Sequence, residues 1–146
     1  TANTLSFQLQ ASGIGMLGLV GFTAVTIATE QIDPTSEGLY TTEQAERGGD
    51  IYEETCSSCH GGITDFTPGM ATLLGDRTFR SGWTGRPLGE LFGMIQETMP
   101  QDNPGTLSST QTADLIAYIL RGNRFQAGEI ALTNDINALM EIPFGP

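Results

Sequence analysis

Beyond residue 40, apolar residues recur at helical spacing in three stretches, whereas one stretch near the start of the chain is apolar without any period. Ala45, Gly48, Ile51, Tyr52 and Thr55 fall three and four positions apart and predict a helix, which Thr41 opens as cap with Gln44 three positions on. The run Leu88 to Thr98 reads as another helix. It ends at Met99, because Pro100 pushes the residue before it out of the helical region. Ser108 and Gln111 form a capping box opening a helix over Ser109 to Arg121, with Leu115, Ile116, Ile119 and Leu120 on its inner face and Gly122 as C-cap. A short helix is expected at Asp135 to Met140, in a tail that wraps or trails. Between the first two long helices, Gly61 to Pro87 reads as a long loop rich in glycine and proline. Gly48 and Gly49 cost the first helix about 1 kcal/mol each relative to alanine, which predicts close contact with another helix there. The fold class is all-α.

The unperiodic stretch changes the picture. No charged side chain occurs from Thr1 to Thr29, and Gly13 to Ala28 is apolar or small throughout. Its length sits at the short edge of the roughly 17–25 residues that span a bilayer. We read residues 1–29 as an N-terminal transmembrane anchor; the alternative is the h-region of a signal peptide, with Thr26-x-Ala28 as a tolerable cleavage site, left uncleaved. Gly15, Gly18 and Gly21 would give such a helix a smooth stripe for packing on another membrane helix. Residues 30–40 then form a linker, 41–128 the helical domain and 129–146 a C-terminal tail.

The chemistry is concentrated in Cys56-Ser-Ser-Cys59-His60, which holds both cysteines and the only histidine of 146 residues. C-x-x-C-H is the spacing of covalent c-type haem attachment, with two thioethers to the porphyrin and the histidine on iron. A structural zinc site needs four ligands and finds three here. A thioredoxin-like pair would sit in a strand-to-helix setting that the flanking sequence lacks, and a disulfide closing so short a loop does little for stability. One covalent haem is the reading that survives. Its sixth ligand decides between carrying electrons and binding small molecules. With no second histidine, the methionines are the candidates: Met16 in the apolar stretch, Met140 in the tail, Met94 inside a helix where a core role is expected, Met70 in the loop, and Met99 on the loop leaving a helix. Met99 is the best placed to be aimed at a metal.

Gly48-x-x-x-Tyr52-x-x-x-Cys56-x-x-Cys59-His60, then Pro68, then Met99-Pro100, then Leu107-Ser108 before Ala117-Tyr118-Ile119-Leu120, resembles a class I monohaem cytochrome c over roughly Thr41 to Gly128. Met99-Pro100, Pro104-Gly105-x-Leu107-Ser108 and Gly122-Asn123-x-Phe125-x-Ala127-Gly128 are further similar to the cytochrome c domains that accompany periplasmic quinoprotein dehydrogenases. The resemblance implies a cytochrome c fold in which the first helix crosses the last, packing near Tyr118. It also implies His60 and Met99 as axial ligands, and the Pro68 carbonyl accepting a hydrogen bond from the other histidine nitrogen. Such a bond would fix the ring and raise its basicity.

Six arginines are the only strongly basic residues, and Arg77, Arg80 and Arg86 cluster with Trp83 in the loop between the expected ligands. Guanidinium forks and an indole N–H are suited to haem propionates, so these four are expected propionate contacts. The net charge of −11 excludes nucleic acid as partner. It is read either as steering towards a basic redox partner or as an acid-rich surface suited to a saline habitat. Together these features predict a membrane-tethered carrier of single electrons. It would lie on the periplasmic face of the cytoplasmic membrane and exchange electrons with donor and acceptor proteins, as a subunit of a dehydrogenase, respiratory or photosynthetic complex held through its N-terminal helix, with a tethered shuttle beside such a complex as the alternative. A haem enzyme or gas sensor with an open sixth site is the alternative, and haem as a mere folding staple a third reading.

Overall fold

The computed structural model describes residues 38–63 and 73–145. The expected anchor, most of the linker, Pro68, Met16 and Met70 lie outside the described residues. Among the described residues the structure is helical, as the periodicity predicts. It comprises α1 (Thr42–Thr55), α2 (Ser57–His60), α3 (Arg77–Trp83), α4 (Leu88–Thr98), α5 (Ser109–Gly122) and α6 (Ile136–Leu139). None of these helices is long and apolar enough to cross a membrane.

Helices α1 and α5 make the main packing contact, and two glycines permit it. A β-carbon on Gly48 would strike the backbone carbonyl of Asp114, and one on Gly49 would come within 3.2 Å of the Tyr118 ring. At the crossing, Arg47 forks onto the buried Asp114 carboxylate at 2.8 and 2.9 Å. Tyr52 and Tyr118 meet ring to ring with centroids 5.2 Å apart, and Arg121 lies over the outer ring. The capping box of α5 forms in full: Ser108 Oγ accepts from the Gln111 N–H, and Gln111 Oε1 accepts from the Ser108 N–H.

At α1 only half of the expected box forms. Thr41 Oγ1 accepts from the Gln44 N–H, but the buried Gln44 side chain turns to the tail. It donates to the Leu132 carbonyl at 3.0 Å and accepts from the Leu132 N–H at 2.7 Å. A primary amide matches a backbone peptide group donor for acceptor, and burial makes that pairing worth more than an exposed cap.

The tail wraps. Leu132, Leu139 and Phe144 are buried. Gly128 N–H donates to the Tyr40 carbonyl, and the Tyr40 hydroxyl returns a bond to the Phe125 carbonyl. Further on, the N–H groups of Gly85 and Leu88 donate to the carbonyls of Phe144 and Ile142, and the Phe144 N–H donates to the Arg86 carbonyl.

Two local expectations are corrected. The stretch expected as one long loop contains α3, capped by Asp76, whose carboxylate accepts from the Phe79 N–H at 2.7 Å. Its buried Phe79 and Trp83, one turn apart, pack into the core beside Phe144. Gly122 ends α5 from inside, and Asn123 is the cap. The glycine instead makes room for Ile63, whose side chain would lie 2.9 Å from an added β-carbon.

Candidate haem site

Helix α1 runs almost without pause into α2, so the attachment motif is held on helical backbone. The Cys56 N–H donates to the Tyr52 carbonyl, and the N–H groups of Cys59 and His60 both donate to the Cys56 carbonyl. This puts the two thiols one helical turn apart with the imidazole beside the second. Gly61 then leaves the helix with φ +69°, a left-handed conformation that favours glycine. The buried Tyr52 fixes this exit by donating its hydroxyl to the Gly61 carbonyl at 2.8 Å.

On the other side of the chain, α4 stops where Pro100 requires. Met99 is the C-cap, in extended conformation, and its N–H still donates to the Ile95 carbonyl. It is partly buried against the core. The loop from Gln101 to Thr106 is exposed, and Leu107 returns the chain to the core before α5.

These elements enclose a cavity of about 590 Å³, within the usual size range of ligand pockets. Cys56, Cys59, His60 and Met99 all line it. Apolar wall comes from Leu74, Ile95, Leu115 and Ile119, drawn from α4, α5 and the segment before α3. Burial pushes the Cys56 thiol up from its ordinary value, opposed by the Thr55 hydroxyl 3.3 Å away and reinforced by neighbouring Cys59. Both cysteines are free of disulfide, with Cys59 exposed. Among the described residues no group of three or more His, Cys, Asp or Glu side chains is placed to hold a bare metal ion.

The donor set fits haem c. Two thiols one turn apart, an imidazole next to them and a thioether from a separate helix end share an apolar cavity, which is what a porphyrin with two axial ligands requires.

The other methionines and the arginine cluster are placed differently. Met94, expected in the core, is 38 % exposed and does not line the cavity, and Met140 is exposed over Gly89. Arg77, Arg80, Trp83 and Arg86 are not brought to the cavity wall. Helix α3 turns Trp83 into the core, Arg86 stacks 4.0 Å over it while forking onto Glu90, and Arg80 donates to the Gly75 carbonyl. The polar residues on the wall are neutral or acidic, among them Gln101, Asn103, Thr106, Glu54 and Asp102. Only the exposed, turn-rich composition of 101–106 pointed to this loop in the sequence.

Comparison with known proteins agrees with this geometry. No curated protein matches the chain by sequence. Among solved structures, the chain is similar to the sulfane dehydrogenase SoxCD from Paracoccus pantotrophus, at 15% identity and a TM-score of 0.43 over 82% of this chain and 68% of that one. That likeness is too slight to carry argument. Residues 43–119, more than half of the chain, match the family model described as cytochrome C oxidase, cbb3-type, subunit III. The match begins in the first turn of α1 and ends in the last turns of α5, so it spans the attachment motif, Met99 and the helix crossing. The chain belongs to this family, and its helical domain is a haem c-binding cytochrome c, an electron carrier.

Proposed function

We propose that the chain is a monohaem c-type cytochrome tethered to the periplasmic face of the cytoplasmic membrane, passing single electrons as a subunit of a larger redox or photosynthetic complex. The observation that carries this reading is the sharing of one cavity by Cys56, Cys59, His60 and Met99. Bound there, haem c supplies a one-electron iron couple. Cys56 and Cys59 would tether it, and His60 and Met99 would ligate its iron. Leu74, Ile95, Leu115 and Ile119 would exclude water from it, and the resemblance to class I cytochromes c supports Pro68, outside the described residues, as the acceptor that would orient His60. A thioether favours the reduced metal and closes the sixth position, which suits a carrier rather than a catalyst. The apolar, uncharged run from Gly13 to Ala28 supports tethering, and its glycine stripe supports a membrane partner.

Replacing Met99 with alanine tests the reading. The variant is expected to lose the low-spin spectrum and to bind carbon monoxide when reduced. A spectrum unchanged from the parent would remove Met99 as ligand and bring forward a haem enzyme or sensor. Fractionation of the full chain against one lacking residues 1–29 tests the tether: the first should sediment with membranes and the second should not.

A further inference from the structure

Among the described residues, two buried carboxamides grip distant backbone. Gln44 holds the tail at Leu132, and Asn123, the cap of α5, holds the wall of the haem cavity at Leu74. Asn123 is only 5% exposed. Its Nδ2 donates to the Leu74 carbonyl, 49 residues away in the chain, and to the Ile119 carbonyl one turn back, both at 2.8 Å. Leu74 and Ile119 both line the cavity shared by Cys56, Cys59, His60 and Met99. The Ile119 carbonyl also accepts from the Asn123 N–H, so the reach to Leu74 is what the side chain adds.

The same corner holds the segment that follows His60. Ile63 is buried against Gly122, and a β-carbon on Gly75 would strike the Ile63 carbonyl. Leu74 lies ahead of α3, outside any helix, so no ladder of backbone bonds keeps it in place. Asn123 Oδ1, meanwhile, is buried without a hydrogen-bond partner among the described residues. A buried unpaired acceptor lowers stability, so a leucine of similar size would serve plain packing at least as well. The use of the amide lies in its grip on Leu74.

Resting on the electron-carrier reading, we propose that Asn123 is a positioning residue that helps set the reduction potential of the haem by pinning Leu74 against the cavity. With that bond gone, the wall loosens and admits water. Water stabilises the more highly charged ferric iron, so the potential falls.

The test sets the two carboxamides against each other in the holoprotein. Asn123→Leu keeps the volume, removes the unpaired oxygen and releases Leu74. Gln44→Ala releases Leu132, which does not line the cavity. Each variant is titrated electrochemically, with the visible spectrum confirming that the axial ligands are kept. At a fixed potential, Asn123→Leu should move the oxidised-to-reduced ratio about threefold or more towards the ferric form. Gln44→Ala should keep that ratio within about 1.5-fold while lowering the denaturation midpoint. Should Asn123→Leu not take up haem, Asn123→Ser, smaller and too short to reach Leu74, answers the same question. An unchanged potential in the Asn123 variant, or an equal shift in Gln44→Ala, would overturn the positioning role and leave Asn123 a helix cap. A parent protein without a reversible one-electron couple would instead overturn the carrier reading itself.

Discussion

Gly48 of α1 lies directly against the backbone carbonyl of Asp114 on α5, with no room between them for a β-carbon. That approach lets Arg47 reach the Asp114 carboxylate and sets Tyr52 against Tyr118. Tyr52 in turn holds the Gly61 carbonyl that ends the attachment helix, so the crossing and the haem motif form one construction.

Gly48→Ala should therefore destabilise the protein although alanine is the better helix former. Overpacking against backbone costs about 1–3 kcal/mol, which outweighs the roughly 1 kcal/mol gained in propensity. Chemical denaturation of the holoprotein should show a lower midpoint. An unchanged or raised midpoint would mean that the helices do not cross there.

Gln44→Ala should loosen the tail. It leaves the buried N–H and carbonyl of Leu132 without partners, at a cost of about 1–3 kcal/mol. Hydrogen exchange at Leu132 should accelerate well before exchange in α5. Equal protection in parent and variant would show that the tail is held by its apolar residues alone.

Tyr52 predicts an alkaline limit. Burial chiefly, with the neighbouring Cys56, Tyr118 and Glu53 adding to it, raises its hydroxyl well above the ordinary 10.0. Tyr40 is raised in the same direction by burial, against the pull of Arg121. A group whose pKa is higher folded than unfolded gives stability that is complete below the unfolded value and lost as pH rises past it. Stability should thus fall above about pH 10. Tyr52→Phe should lower stability at neutral pH by about 1 kcal/mol, through loss of the Gly61 bond, and flatten the alkaline fall. Denaturation midpoints at pH 8 to 11 would check both, and an equally steep fall in the variant would contradict the assignment.

Removing both attachment thiols, Cys56→Ala with Cys59→Ala, should leave a chain without covalent haem. About a hundred residues build only a small core, so the cavity would keep apolar wall without its filling. Circular dichroism should report loss of cooperative thermal unfolding. A sharp transition like the parent's would mean that the helices close the cavity unaided.

Much of this was legible in the sequence, because the signals are local. Capping residues, helical periodicity and the residue before proline placed α1, α4 and α5 close to their observed bounds, and C-x-x-C-H identified the attachment chemistry by spacing alone. What escaped depends on distant partners. Helix α3 is short and bounded by Gly75 and Gly85, so its Asp76 cap and the Phe79 and Trp83 pair were hidden in a stretch that read as loop. Gln44 looked like a capping residue until Leu132 lay beside it. The partners of Arg80 and Arg86 escaped for the same reason: sequence counts charges without showing that Gly75 and Glu90 engage these two.

The most direct test of the central claim is the visible spectrum of the purified full-length protein, oxidised and reduced, with and without carbon monoxide. The account predicts a c-type low-spin spectrum that survives denaturing extraction of free haem, the weak long-wavelength band of methionine on ferric haem, and no change when carbon monoxide meets the reduced form. Absence of that band together with carbon monoxide binding would contradict it, and would show that Met99 lines the cavity without closing the iron.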